Sequence, residues 1–216
     1  MNRRLIIETL IKRVKSRLLK ERKSDELSLN LSRLIVNKFK EKEDFELEAV
    51  YFERGDEYAS FDFYCYFVED IEIDEPFSIY ANADMQIMEI EVTYNPKYFP
   101  ESMVDFVAEI KEAVEHELEH IEQQNFEDME IHDDDDYEDD DYFSYYTSNT
   151  EIPAFVRGLI KRSKTKKITL SDAMEEWFSE NKKWFKNPKE EWPIVKGIWM
   201  RYANEMKEKR RIKKFK

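Results

Sequence analysis

Residues 101–124, ESMVDFVAEIKEAVEHELEHIEQQ, constrain the fold more than any other part of the chain. The stretch contains no Gly or Pro, and Pro100 followed by Glu101 and Ser102 makes a helix start. At the helical period, Met103, Phe106, Val107, Ile110, Ala113, Val114, Leu118 and Ile121 share one apolar arc, which requires a core beside it. Within the stretch, His116-Glu117-Leu118-Glu119-His120 reads H-E-x-x-H. Residues four apart stack one turn apart on a helix, so His116 and His120 can reach a single metal ion. Both lie at the edge of the arc, next to Ala113 and Phe106. Glu117 falls inside the arc, where a carboxylate is costly unless something pairs with it or uses it. Glu119 points the opposite way and is expected in solvent.

This spacing suits one chemistry. Two neutral imidazoles hold Zn²⁺, and a carboxylate beside them takes the proton from a water as it attacks a carbonyl. The competing reading is a chance motif on an ordinary core helix. Against it, the chain has three His and two of them form the motif.

Elements on either side set the fold class. Residues 3–22 carry Leu5, Ile6, Leu10, Val14 and Leu18 on one helical side, and 25–42 repeat the pattern with Leu27, Leu31, Leu34, Ile35 and Phe39. The period then changes. Segments 46–54, 60–69, 77–82 and 85–94 read as strands, with turn signals at Gly55-Asp56 and Asn82-Ala83-Asp84. Helices, an antiparallel-leaning sheet, the motif helix and a helical C-terminal part make an α+β chain. It divides into N-terminal helices (1–44), sheet plus motif helix (45–124), an acidic loop (125–150) and helices over 151–216, all in one compact unit.

The run 127–141 is dominated by Asp and Glu and reads as a solvated loop. As a calcium loop it lacks the central Gly and terminal Glu of an EF-hand. His132 lies within this run, as a loop histidine or as a third metal ligand. The next helix, EIPAFVRGLIK over 151–161, follows three capping residues, Ser148, Asn149 and Thr150. Glu151 opens it, where it either complements the helix dipole or serves as third zinc ligand and leaves a fourth position for water. Arg157 either orients a substrate carboxylate or pairs with the acidic loop. Further on, Trp177, Phe178, Trp184, Phe185, Trp192, Trp199 and Tyr202 read as core rather than as a peptide groove.

The formal charge of −14 is unevenly spread: residues 1–23 carry +7 and 207–216 carry +6, which leaves −27 for the middle. So acidic a body repels phosphate, which argues against nucleic acid as the partner. The basic ends suit docking to an acidic partner or to the acidic middle. Cys65 is alone, so no internal disulfide forms, and no stretch has the length of a membrane span; a cytoplasmic location is expected.

His116, Glu117 and His120, followed by Glu151 on a later helix, resemble the zincin metallopeptidases, and among them the gluzincins. The resemblance implies a zincin-like fold in which His116, His120 and Glu151 bind zinc and Glu117 is general base and proton shuttle. It also implies a sheet whose edge strand, here 85–94, takes an extended peptide or protein substrate by strand addition. Tyr142, Tyr145, Tyr146 and Arg157 would be the groups available to steady the transition state or the substrate. The metzincin pattern is absent, since Gln123 and Phe126 replace its Gly and His. The gluzincin pattern is incomplete, since Phe155 stands where Asp is usual. High Lys, Asp, Glu, Tyr and Phe with little Gly also resembles proteins of AT-rich phage genomes. The alternative function is a non-enzymatic structural or interaction protein, such as a virion or assembly component, on a zincin-like fold.

Overall fold

The computed structural model describes residues 24–54, 57–98, 103–126 and 142–213. The expected helix at 3–22, the acidic run 127–141 and His132 lie outside them. The described chain is α+β, in the order α1 (Ser24–Glu41), β1 (Phe45–Arg54), β2 (Glu57–Glu69), β3 (Phe77–Ala83), β4 (Ile87–Tyr94), α2 (Met103–Phe126), α3 (Tyr142–Tyr146), α4 (Glu151–Lys166), α5 (Leu170–Asn181) and α6 (Pro188–Lys213). A 3₁₀ turn, Lys182–Trp184, follows α5.

The sheet leans antiparallel, as expected, but is mixed. Its order is β1-β2-β4-β3, with β2 and β4 parallel and the other two pairs antiparallel. After β2 the chain crosses over to form the far edge as β3, then turns back to place β4 in the middle. Asn95 holds that crossover, its Nδ2 donating to the carbonyls of Ile71 at 3.1 Å and Ile73 at 2.9 Å. The consequence for function is direct. β4 is an interior strand with both edges paired, so the expected peptide addition at 85–94 has no free backbone to use. The edge strands are β1 and β3.

One face of the sheet packs on α1 and α2. Leu27, Leu31 and Ile35 of α1 and Phe106, Ile110, Val114, Leu118 and Ile121 of α2 meet Phe61, Phe63, Cys65, Met88, Ile90 and Val92 of the strands in one apolar cluster. Cys65 is completely buried there, and burial pushes its thiol far above the ordinary range, so it is a core residue. A second cluster lies among the later helices, where Trp199 is buried against Trp177, Trp192 and Phe155. Trp184, expected in this core, stands 41% exposed in the 3₁₀ turn with Tyr142 and Lys183 against its ring. Residues 142–146, expected as loop, form α3 because Tyr146 is drawn into the aromatic cluster.

α2 joins the two cores. Its apolar arc faces the sheet as the periodicity requires, and α4 covers its other side. Close approach of the two helices depends on Gly158. A Cβ there would stand 2.9 Å from the Glu112 carbonyl oxygen, closer than side-chain carbons come to backbone. Gly158→Ala is therefore expected to destabilise the protein by about 1–3 kcal/mol despite the better helix propensity of Ala. Chemical denaturation reads this directly, and a Gly158→Ala protein of unchanged or higher stability would contradict it.

Candidate metal centre

Three side chains expected from the sequence meet where α2 and α4 touch. His116 and His120 present their Nε2 atoms 3.0 Å apart from successive turns of α2. From the first residue of α4, the Glu151 carboxylate faces both. Its Oε1 is 3.2 Å from His120 Nε2, and its Oε2 is 3.3 Å from His116 Nε2. All three side chains are buried or nearly so, at 13%, 7% and 5% exposure for His116, His120 and Glu151.

Local sequence explains the convergence. The i, i+4 spacing aligns the imidazoles. Glu151 is fixed at the helix start because Ser148 Oγ accepts its backbone N–H at 3.2 Å; Thr150, the residue before it, makes no side-chain cap. Gly158, two turns further on, holds α4 close enough for Glu151 to reach across.

Gln123 completes the arrangement and was not singled out by the sequence. It is buried at 1% exposure. Its Oε1 lies 3.3 Å from His120 Nδ1, and its Nε2 donates to the Thr150 carbonyl at 2.9 Å. An Nδ1–H donated to Gln123 leaves His120 Nε2 turned toward Glu151 and His116. One amide thus ties the second histidine to the residue before the glutamate. The signal was present in principle, since position 123 is one turn after His120 on the same face.

Electrostatics couple the three groups. Burial works against a charge on His120, but its contact with Glu151, the Glu151 and Glu117 charges and the bond with Gln123 outweigh it and raise the pKa to about 9. For Glu151, burial favours the neutral acid, yet the two facing imidazoles hold the carboxyl far below the usual carboxylate range. Glu117 is buried at 7% exposure, inside the apolar arc as expected, and its charge is felt at His120.

The donor set fits a four-coordinate divalent ion. Metal–ligand distances of about 2.0–2.1 Å at tetrahedral angles place the donors about 3.3 Å apart. The three separations here are 3.0, 3.2 and 3.3 Å. Glu151 Oε2 is moreover a buried oxygen with no hydrogen bond of acceptable geometry. Two imidazoles and one carboxylate are also the ligand types that zinc takes. Among the described residues, His116, His120 and Glu151 are the group of His, Cys, Asp or Glu side chains placed to hold a metal ion.

No protein-family model, curated protein or solved structure matches this chain. What the centre can do therefore follows from its own atoms.

The other expected contacts divide. Arg157 is committed to α2, with Nη1 paired to Glu119 and 2.8 Å from Glu122 Oε2. The same pair corrects the placement of Glu119, which is 5% exposed and not in solvent, because α4 covers the side of α2 opposite the sheet. Tyr146 is buried in the aromatic cluster, its ring stacked on Phe185 and its carbonyl accepting Trp199 Nε1–H at 2.9 Å. Tyr145 is half-buried with its ring centroid 6.0 Å from that of Phe155. The Phe155 ring sits edge-on to His116, 4.6 Å between centroids, where a gluzincin would carry an acid. No described helix is long and apolar enough to cross a membrane.

Proposed function

We propose that the chain is a zinc-dependent peptidase of zincin type, with His116, His120 and Glu151 as zinc ligands and Glu117 as general base. The observation that carries the reading is the buried His116–His120–Glu151 cluster, whose donor separations suit one tetrahedral ion and whose H-E-x-x-H helix supplies a further buried carboxylate beside it. Zinc bound there supplies Lewis acidity, polarising a substrate carbonyl and bringing the pKa of a water toward neutrality. Glu117 takes the proton from the attacking water and delivers it to the departing amine. Gln123 keeps His120 in the tautomer that can ligate. Tyr145, whose ring meets the Phe155 ring that in turn packs on His116, is the candidate to meet the developing oxyanion or the substrate; Arg157 pairs with Glu119 and Glu122, Tyr146 packs in the aromatic cluster and Tyr142 lies on Trp184.

The first test is metal content of the purified protein by mass spectrometry. About one zinc per chain is expected, lost in His116→Ala; a zinc-free wild type after reconstitution overturns the reading.

The pH dependence follows from His120. Its pKa in the metal-free fold is raised from 6.5 to about 9, so its pairing with Glu151 stabilises that fold fully below about pH 6.5 and is lost as pH rises through 9. Zinc must displace that proton, because only neutral imidazole ligates. Apparent zinc affinity is thus expected to climb between pH 6.5 and 9, by up to about tenfold per unit. Chelator-competition titrations measure the slope, and a flat profile would remove His120 from the ligand set.

The second reading is a non-enzymatic structural or interaction protein in which the metal staples α2 to α4. The burial of all three ligands favours it, since structural zinc sites are closed. Zinc that raises the melting temperature without hydrolysis of any peptide library would select it.

A further inference from the structure

The sheet face turned away from α1 and α2 has a chemistry that the metal centre does not use. Alternation along the strands buries Phe61, Phe63 and Cys65 and sends Tyr51, Tyr58, Tyr64, Tyr66 and Tyr80 to the opposite side. Four of these rings are exposed, Tyr58 at 71%, Tyr80 at 61%, Tyr51 at 45% and Tyr66 at 37%. Glu46, Glu53, Asp62, Glu89 and Glu91 share the face, and none of the strand positions that alternation assigns to it is Lys or Arg.

Register interleaves the two kinds of side chain. Across the sheet, Glu46 is opposite Tyr64, which is opposite Glu89; in the next outward row Tyr66 is opposite Glu91, which is opposite Tyr80. Each of these rings therefore has a carboxylate beside it. Partial burial, then the charges of Glu89, Tyr64, Glu46 and Asp44, raise the Tyr66 phenol above its ordinary value, as a negative field does.

A solvated face does not need this many aromatic rings, and a cluster of them marks a contact surface. Charge then selects the occupant. A second copy docking face to face would set carboxylate against carboxylate, and nucleic acid or anionic lipid is repelled in the same way. An ammonium or guanidinium gains twice, from the carboxylate charge and from the adjacent ring. We propose that this tyrosine–carboxylate face is the docking surface for a Lys/Arg-rich segment of a partner protein.

The test is titration of the full-length protein with a short synthetic peptide alternating Arg and Ser, against a counterpart with Glu in place of Arg. Saturable binding of the basic peptide alone, weakened by salt, is expected. Tyr66→Ser and Tyr80→Ser should each weaken it about threefold, whereas Tyr80→Phe keeps the ring and the affinity. Glu89→Gln combined with Glu91→Gln should cost about tenfold and flatten the salt dependence. All these positions lie across the sheet from α2, so thermal unfolding and metal content serve as controls for an intact fold. Equal binding of both peptides, or basic-peptide binding indifferent to these substitutions, overturns the proposal. So does self-association of the full chain that the same substitutions abolish, because the chain's own basic ends would then be the occupant.

Discussion

Glu117→Gln is expected to keep zinc and to lose hydrolysis by about 10²–10⁴-fold, the usual contribution of a positioned general base. The amide has nearly the shape of the carboxylate, so packing inside the apolar arc of α2 survives. It cannot accept the proton of an attacking water. The measurement pairs zinc stoichiometry with turnover of a quenched peptide substrate. A Glu117→Gln protein that turns over like wild type would sink the mechanism even if zinc is bound. The motif's second glutamate is the internal control. Glu119 is buried against Arg157 on the α4 side of the helix, away from the apolar arc that holds Glu117. Glu119→Gln removes one charge from that pair and should lower the melting temperature while the folded protein turns over the substrate as wild type does. The two glutamates of one five-residue motif thus separate proton transfer from helix docking.

The parts of the fold that sequence reveals are those governed by a single periodicity. The apolar arc of α2 runs where the 3.6-residue repeat puts it, and four strands appear where alternation begins at Phe45 and ends at Tyr94. The motif likewise brings His116 and His120 together by local spacing alone. Glu151 is different in kind, since it needs α4 to lie against α2, and that depends on a missing Cβ at Gly158 and on Gln123 reaching Thr150. The edge position that the resemblance implied for 85–94 failed for a similar reason. Turn signals mark the β3–β4 hairpin, but nothing local tells a crossover of residues 70–76 from a direct return, and the crossover puts β4 inside the sheet. Glu119 failed because one apolar arc predicts one buried face, whereas α2 is covered on two sides and its second contact is ionic. Charges that meet across helices have no period to read.

Arg162→Met is expected to be the most destabilising of the conservative-volume substitutions at the α2–α4 contact, by about 3 kcal/mol. The Arg162 side chain is 3% exposed and joins three helices. Nη1 is 3.1 Å from Glu112 Oε2 on α2, and Nη2 is 2.5 Å from Glu180 Oε1 on α5. Met preserves the apolar stem but leaves Glu112 without its counter-charge. Burial already pushes the Glu112 carboxyl above its ordinary pKa, and Arg162 is the main influence pulling it back. Without the arginine, Glu112 must either stay charged in a poorly hydrated place or take up a proton, and both cost stability at neutral pH. The sign makes the prediction specific: the deficit of Arg162→Met should shrink as pH falls and Glu112 is neutralised. Adding Glu112→Gln should recover much of the loss, because an unpaired buried charge costs more than an absent pair. Denaturant titrations of the two single variants and the double variant supply the cycle. If the losses simply add, Arg162 acts through its packing and not through Glu112. The outcome also bears on the metal centre, since Glu112 lies one turn before His116 and Arg162 three turns after Glu151. A loosened contact there should lower zinc affinity in step with stability, because the helices that carry the three proposed ligands are held in register by the same charges.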